Sequence, residues 1–420
     1  MRYVIVFLFI LGFLFRLWFI KLVPQFFVFD QVQYHDYAQR ILQYPFFSDS
    51  IRPYGYSMMI ALIYRVFGTG EIYWKVIQAL FDTGTAFLVF LIAKKLMTYG
   101  PAYIAYILYL FNPYTSAYVG VLLTEVLAIF LTTLVFYLLL RYLEKRSLLL
   151  ISVLGLLLAY LVEVKPIFMA FTVTILVLMI FLIRRMAKTW RIQILNAGLL
   201  ILFYFLPFSY NIIGNLKYWG QPALLNVDSA FLQNFYVSMF IERSYPVTSN
   251  KWKPHAVEVN KAFEDFAPNY DRKQAGLRDQ KYYGLIIKKI REDPVKIIRV
   301  SAAKMWYIWE KNYLFPYDIG PTNSRVDFLV YWSNIGILIS AIIGFALWMK
   351  SQRRGHKKYI LFGSMILFFI IYLTVFHAVS SGEERYTLPA YSLIFIFTGF
   401  SIWILIKKLP YRILLKFLNG

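Results

Sequence analysis

Ten apolar stretches, most of them close to the length needed to cross a bilayer, dominate this sequence. Hydrophobic residues fill 60% of the 420 positions, and a single soluble core cannot bury that much apolar surface. The sequence therefore predicts an all-α polytopic membrane protein with about ten spanning helices, within a range of nine to twelve. The stretches lie at about 3–23, 72–93, 100–112, 122–140, 148–163, 166–183, 193–213, 328–349, 359–377 and 386–406.

Basic residues form short clusters between these apolar stretches, as at Lys94-Lys95, Arg184-Arg185 and Lys407-Lys408. The positive-inside rule assigns such clusters to the cytoplasm, which places both termini there and the protein in the plasma membrane. The same rule accounts for most of the net charge of +22, so we expect no nucleic-acid partner.

Three parts follow from this topology. Residues 1–213 form an N-terminal transmembrane module that contains a first external loop at 24–71. Residues 214–327 form a small external or re-entrant segment, and residues 328–420 form a C-terminal transmembrane module. In the first loop, apolar and aromatic residues recur at helical spacing, which predicts helices lying along the membrane interface.

The apolar run at 295–313 is interrupted by Arg299, Lys304 and Glu310. If this run crossed the membrane, the basic cluster at 350–358 would lie outside, against the positive-inside rule. We therefore predict an interfacial or re-entrant helix on the outer side.

Acidic residues of the apolar regions gather on the side opposite the basic clusters, and this convergence indicates a single site. Asp30, where the first span gives way to the loop, could take the proton of an incoming hydroxyl as a general base. It could instead cap the following helix. Glu125 could face a polar cavity, or it could belong with Thr124 to a helix cap.

Three basic residues are predicted to lie on the same side. Arg52 offers guanidinium donors suited to phosphate, although an arginine there could also extend to lipid headgroups. Lys165 precedes a proline near Glu163, and Arg385 could form a local salt bridge with the acids before it. Further candidates for the site are Tyr34, Asp36, Tyr54, Glu163, Glu384 and Tyr386.

Several kinds of chemistry lack support. The chain has no Cys, which excludes cysteine nucleophiles and zinc–thiolate sites. Its four His residues show no recognised ligand spacing, so metal ligands cannot be assigned. No nucleotide-binding or serine-hydrolase motif occurs.

The order of motifs resembles the GT-C superfamily of membrane glycosyltransferases, and within it the family-39-like branch of protein O-mannosyltransferases and the aminoarabinose transferase of lipid A. The resemblance covers nearly the whole chain and is densest in the first 130 residues. It rests on Asp30-Gln31-x-x-Tyr34-x-x-Tyr37-Ala38, Arg52-Pro53-Tyr54-Gly55-Tyr56, Asn112-Pro113, Leu123-Thr124-Glu125, Lys165-Pro166 and Glu384-Arg385-Tyr386-x-x-Pro389.

The resemblance implies an inverting transfer of a sugar from a polyprenyl-phosphate donor to a lipid, protein or wall-polymer acceptor outside the cytoplasm. Asp30 would be the catalytic base, aided by Glu125, and Arg52, Lys165 and Arg385 would hold the lipid phosphate. Many relatives have Asp-Glu where this chain has Asp30-Gln31. Some bind a divalent cation, so Mg²⁺ or Mn²⁺ is a candidate cofactor.

Two other functions remain open at this stage. A carrier or flippase for a lipid-linked sugar would need charged groups deep in the bilayer, and Asp82 is the candidate acid within a span. An O-antigen ligase or polymerase would use the same class of donor but attach longer glycans.

Overall fold

The computed structural model describes residues 2–22, 25–186, 189–228, 231–240, 272–317, 324–352, 357–380 and 382–408. Within these ranges the chain folds into helices joined by turns and short loops, with no β-strand. Parts of the predicted external segment, at 229–230, 241–271 and 318–323, lie outside the described residues.

The α-helices longer than one turn are labelled in chain order. They are α1 (Arg2–Leu22), α2 (Asp30–Gln43), α3 (Tyr54–Phe67), α4 (Glu71–Leu96), α5 (Tyr99–Leu110), α6 (Glu125–Glu144), α7 (Leu148–Val164), α8 (Met169–Met186), α9 (Trp190–Phe205), α10 (Phe208–Trp219), α11 (Phe231–Ser238), α12 (Arg272–Glu292), α13 (Pro294–Tyr307), α14 (Ser324–Gln352), α15 (Lys357–Val379) and α16 (Leu388–Lys408).

Eight helical segments of the described ranges are long and apolar enough to cross a membrane. Two further predicted spans form shorter helices, because α5 has 12 residues and α7 has 17. The prediction of an all-α polytopic membrane protein is confirmed, whereas the count of ten spans stays a prediction. The eight segments are Tyr3–Leu22, Glu71–Leu96, Glu125–Glu144, Pro166–Arg185, Trp190–Trp219, Arg325–Gln352, Lys357–Val379 and Glu384–Lys408.

The interrupted apolar run contains α13, which has 14 residues and is not among the candidate spans. Its exposed side carries Val295, Ile298 and Trp306, which are 73%, 68% and 53% exposed. Apolar residues at this spacing are typical of a helix that lies along a membrane surface.

Two helices form the first external loop. The buried side of α2 carries Gln31, Tyr34, Tyr37 and Ala38, the face that the helical spacing predicts. Next, α3 begins after Pro53, which has extended backbone angles, and packs against α7. At Gly55 a side chain would come within 2.5 Å of the α7 backbone, so only glycine permits this approach.

The last labelled helix, α16, joins the C-terminal part of the described chain to the N-terminal module. It packs against α14 and also against α4, α5 and α6 of the N-terminal module. A Cβ atom at Gly399 would lie 2.6 Å from the backbone nitrogen of Ala105, so the two backbones touch there. Since α16 begins two residues after Tyr386, this packing brings the turn that precedes α16 to the first loop.

A second buried contact fixes the N-terminal helices. Arg16 of α1 and Asp82 of α4 are both fully buried, and the Arg16 Nε lies 2.6 Å from a carboxylate oxygen of Asp82. The guanidinium also donates to the carbonyl of Leu110 at 2.8 Å, while the Tyr109 hydroxyl donates to Asp82 at 2.7 Å. Arg16 therefore neutralises Asp82, the acid that a carrier would need to use for transport.

Removing one member of this pair should destabilise the protein strongly. The Arg16→Met variant leaves the Asp82 carboxylate buried without its cation, and we expect a loss of about 3–5 kcal/mol of unfolding free energy. Thermal unfolding of the purified protein in detergent would reveal this as a lower midpoint.

The double variant Arg16→Met/Asp82→Leu removes both charges and should recover much of the loss. Equal stability of the single variant and the unaltered protein would contradict this account.

Candidate functional site

Asp30 is the first residue of α2 and follows a backbone position that is rare for a residue with a side chain. Phe29 has φ 55° and ψ −124°, a region that most residues avoid. Such strain costs about 1–3 kcal/mol and tends to persist at functional sites. The Asp30 carboxylate forms ion pairs and makes no capping hydrogen bond at the start of α2. The alternative that Asp30 only caps the helix is therefore not supported.

Arg52 is held beside Asp30 by the turn that precedes α3. The Asp49 carboxylate accepts hydrogen bonds from the backbone N–H groups of Ile51 and Arg52, at 2.8 and 2.9 Å. The Arg52 guanidinium then donates to Asp30 at 2.6 Å and to the Tyr34 hydroxyl at 3.0 Å. Arg52 thus interacts directly with Asp30 and Tyr34.

Glu125 and Lys165 form a second pair that joins α6 to the end of α7. Lys165 Nζ donates to Glu125 at 3.1 Å. Only 2% of the Glu125 side chain and 10% of the Lys165 side chain are exposed. The ammonium also lies 4.8 Å from the centre of the Tyr386 ring, within the range of a cation–π contact.

Arg385 connects the two pairs. It lies in the short 3₁₀ turn Glu384–Thr387 that leads into α16. One guanidinium nitrogen donates to Asp30 at 3.4 Å, and Nε lies 3.8 Å from Glu125. Nε is also 2.5 Å from a carboxylate oxygen of Glu383, at an angle that makes an ion pair without a hydrogen bond.

The resulting cluster contains three carboxylates and three cations. Its acids are Asp30, Glu125 and Glu383, and the Tyr386 hydroxyl donates to Glu383 at 3.1 Å. The carboxylate of Asp30 is 29% exposed, whereas that of Glu125 is 2% exposed. Asp30 and Glu383, which is 26% exposed, are therefore the acids that an incoming molecule can reach, whereas Glu125 is buried beside Lys165. Of the two accessible acids, Asp30 is the one that contacts both arginines.

Other predicted candidates lie apart from the cluster. Asp36 is on the exposed side of α2, and the Tyr54 hydroxyl donates to the carbonyl of Pro207 at 3.0 Å. Glu163 accepts a hydrogen bond from Asn211 at 2.6 Å. The Glu384 carboxylate turns away from Arg385 and accepts from the backbone of Asn312 at 2.8 Å. Their roles at the site stay predictions.

Glu383 was not among the candidates for the site, although the sequence offers a signal for it. It lies two residues before Arg385, and a local salt bridge was one interpretation of this triplet. Two adjacent acids, Glu383 and Glu384, cannot be told apart by sequence, because the backbone turn alone decides which one faces Arg385.

The surroundings of Asp30 favour its charged form. Burial raises the pKa of the Asp30 carboxyl, but the charges and hydrogen bonds of Arg52 and Arg385 outweigh burial and bring the pKa below its ordinary value. Asp30 is therefore ionised at neutral pH. It stabilises the fold there, and that contribution is lost only as pH falls through the lowered pKa.

A divalent cation does not fit the described cluster. The described ranges contain no group of three or more His, Asp or Glu side chains that could hold a metal ion. The carboxylates of Asp30, Glu125 and Glu383 already face arginine or lysine nitrogens, which occupy the positions that a cation would need.

Comparison with known proteins bears on this arrangement. Residues 52–210 match the family model described as dolichyl-phosphate-mannose-protein mannosyltransferase. No curated protein sequence matches the chain.

Among solved structures, the apo oligosaccharyltransferase of Archaeoglobus fulgidus is similar, with a TM-score of 0.57 and 12% identity over 100% of this chain and 52% of that one. The chain thus spans about half the length of this archaeal protein. The same protein in complex with an inhibitory peptide and a dolichol-phosphate matches with a TM-score of 0.50 and 12% identity, covering 98% and 52%. The chain has the GT-C fold.

This fold agrees with the resemblance that the order of motifs predicted, and the match of residues 52–210 to the mannosyltransferase family model points to the same branch. ArnT from Cupriavidus metallidurans in the apo state also matches, with 13% identity over 95% of this chain and 76% of that one, and a TM-score of 0.42.

The two arginines predict a measurable shift in the titration of Asp30. In the Arg52→Gln variant one of the two cations is lost while burial remains, so the pKa of Asp30 should rise. Carbon-13 NMR of aspartate-labelled protein in detergent would follow the carboxyl through a pH titration.

Arg40→Gln is the matched control for this titration. Arg40 lies on the exposed side of the same helix and contacts the Phe47 ring, 5.6 Å away. Its loss should leave the Asp30 midpoint unchanged. An unchanged midpoint in Arg52→Gln would contradict the ion pair.

Proposed function

We propose that this protein is an inverting glycosyltransferase that moves a sugar from a polyprenyl-phosphate donor to an acceptor on the extracytoplasmic side of the membrane. The observation that carries the proposal is the Asp30 carboxylate, partly exposed and held between Arg52 and Arg385. A base and phosphate-binding cations thus occur at the same place, which is what such a transfer requires.

The reaction follows from these groups. The acceptor hydroxyl attacks the anomeric carbon from the face opposite the phosphate, and the new C–O bond inverts the configuration. The bond between that carbon and the phosphate oxygen breaks, and its electron pair stays on the phosphate. Asp30 takes the hydroxyl proton, and the guanidinium groups stabilise the charge that develops on the leaving phosphate.

In this mechanism the donor phosphate competes with Asp30 for its arginines. Both carboxylate oxygens of Asp30 face a guanidinium, at 2.6 Å for Arg52 and 3.4 Å for Arg385. A bound phosphate would draw these cations towards itself, which weakens their hold on the carboxylate and makes it a stronger base. Binding of the donor would thereby prepare the base for the acceptor.

Two further observations support the class of donor. The match to a dolichyl-phosphate-mannose-dependent family covers the part of the chain that holds Arg52, Glu125 and Lys165. A protein of similar fold has been captured with a dolichol-phosphate. The basic clusters of the sequence favour a cytoplasmic location for the opposite face, so the site would open to the outside of the plasma membrane.

The carrier hypothesis loses its candidate residue, because Asp82 is fully buried and paired with Arg16. A ligase or polymerase shares the donor class and the proposed chemistry. Mass analysis of the product would separate the two, since a single added sugar indicates a transferase and a long glycan indicates a ligase or polymerase.

Asp30→Asn is the direct test of the base. Transfer from a panel of synthetic polyprenyl-phosphate sugars should fall by about 100- to 10,000-fold, because the amide cannot accept the proton. Binding of undecaprenyl phosphate, measured by native mass spectrometry, should be at least as tight as in the unaltered protein, since both arginines lose a competing carboxylate.

Asp36→Asn serves as the control, because Asp36 lies on the exposed side of the same helix. This variant should keep its transfer rate. Full activity in Asp30→Asn would show that another group is the base.

Lys165 offers a test that separates stability from donor binding. Lys165→Met leaves the buried Glu125 without its ammonium, so we expect a loss of about 3 kcal/mol in stability and weaker binding of undecaprenyl phosphate. In the double variant Lys165→Met/Glu125→Gln, thermal stability should return while lipid-phosphate binding stays weak. Recovery of both properties would assign Lys165 a purely structural role.

A further inference from the structure

Arg385 can reach Asp30 only if the turn that carries it is held in place. This turn, Glu384–Thr387, directly precedes α16 and has only four residues. The guanidinium must meet Asp30, Glu125 and Glu383 at once, so a small displacement of the turn would break several contacts.

A buried lysine fastens the turn. Lys311 follows α13 by four residues, is 4% exposed, and donates to the carbonyl of Glu384 at 2.6 Å and to the Thr387 hydroxyl at 3.0 Å. Its ammonium also lies 5.1 Å from the centre of the Tyr391 ring in α16. These contacts bracket Arg385 on both sides without touching it.

Neighbouring residues complete the attachment. The Glu384 carboxylate accepts hydrogen bonds from the backbone N–H and the side-chain amide of Asn312, at 2.8 and 2.5 Å. The Thr387 hydroxyl donates to the carbonyl of Ile308 at 2.9 Å. Residues 308–312 therefore form a platform to which the turn is bound at both of its ends.

The platform is itself anchored to two long helices. The Trp309 indole donates to Thr374 of α15 at 3.0 Å, and the Asn334 amide of α14 donates to the Trp309 carbonyl at 2.7 Å. Because both helices are among the candidate spans, the platform is fixed relative to the membrane bundle.

We propose that Lys311 is a positioning residue, which acts through the Glu384–Thr387 turn to place the Arg385 guanidinium against Asp30 and, in the proposed transferase, against the donor phosphate. The role towards the donor phosphate rests on the proposed function, whereas the placement of Arg385 against Asp30 does not. Lys311 itself contacts neither Asp30 nor the other members of the cluster through any hydrogen bond in the described ranges.

A second buried lysine gives a matched control. Lys304 is 1% exposed and donates to the carbonyls of Ser238 and Ser380, at 2.7 and 3.0 Å. Burial lowers the pKa of Lys304 to about 8 and that of Lys311 to about 7, the latter against the opposing charges of Glu384 and Glu310. Both lysines are thus desolvated and bound to backbone carbonyls, but among the described contacts of these two lysines only those of Lys311 reach the Glu384–Thr387 turn.

The first experiment needs no ligand. Arg385 lowers the pKa of Asp30, so displacement of the guanidinium should raise it. In Lys311→Met we expect the carbon-13 NMR midpoint of Asp30 to move upwards, in the same direction as in Arg385→Gln. The double variant should show no further shift than Arg385→Gln alone, because Lys311 acts through Arg385.

The second experiment measures binding of undecaprenyl phosphate by native mass spectrometry. Lys311→Met should weaken binding by about tenfold, with no additional loss in the Arg385→Gln background. Lys304→Met should lose thermal stability to a similar degree as Lys311→Met but keep the Asp30 midpoint and the lipid affinity.

The outcomes separate the two proposals. An unchanged Asp30 midpoint in Lys311→Met, or an equal shift in Lys304→Met, would overturn the positioning role. If the unaltered protein fails to bind undecaprenyl phosphate, the proposed function fails, while the NMR result still decides whether Lys311 places Arg385.

Discussion

Several buried or half-buried charges of this protein lie beside opposite charges, and the Asp30 carboxylate is where distant parts of the chain meet. Asp30 and Arg385 lie 355 positions apart and are 3.4 Å from each other in the structure. A charge removed from water is stable only beside an opposite charge, so each ion pair restricts how the helices can be arranged. The packing of α16 among the N-terminal helices and the burial of this cluster therefore depend on each other.

Two groups of ion pairs, Arg16–Asp82 and the cluster around Asp30, meet this requirement in different ways. Arg16 and Asp82 are closed off from solvent, and backbone carbonyls and a tyrosine hydroxyl satisfy their remaining hydrogen bonds. Asp30 is partly exposed, and its arginines are shared between several carboxylates. A saturated pair stabilises the bundle, whereas a shared and accessible pair can exchange one anion for another. This difference is the physical basis for assigning function to the cluster around Asp30.

Much of the site could be predicted from the sequence because charged residues in apolar surroundings are rare and conspicuous. Asp30, Arg52, Glu125, Lys165 and Arg385 were all identified as candidates, and the structure brings these five together. Glu383 and the platform around Lys311 could not be found in this way. Choosing Glu383 over Glu384 requires the backbone direction of a four-residue turn. The role of Lys311 depends on hydrogen bonds to a carbonyl 73 residues away and a hydroxyl 76 residues away.

The sequence by itself determined that the chain is an all-α membrane protein, which side its basic clusters favour, and which acidic and basic residues are candidates for the site. These properties follow from composition and from spacing along the chain, because lipid selects for apolar runs and charge asymmetry selects orientation. Only the tertiary structure decided which cation faces which carboxylate, since ion pairing depends on distances of a few ångströms between residues far apart in sequence. It also decided that Asp82 is neutralised by Arg16, and that Asp30 is a partly exposed acid that contacts both Arg52 and Arg385.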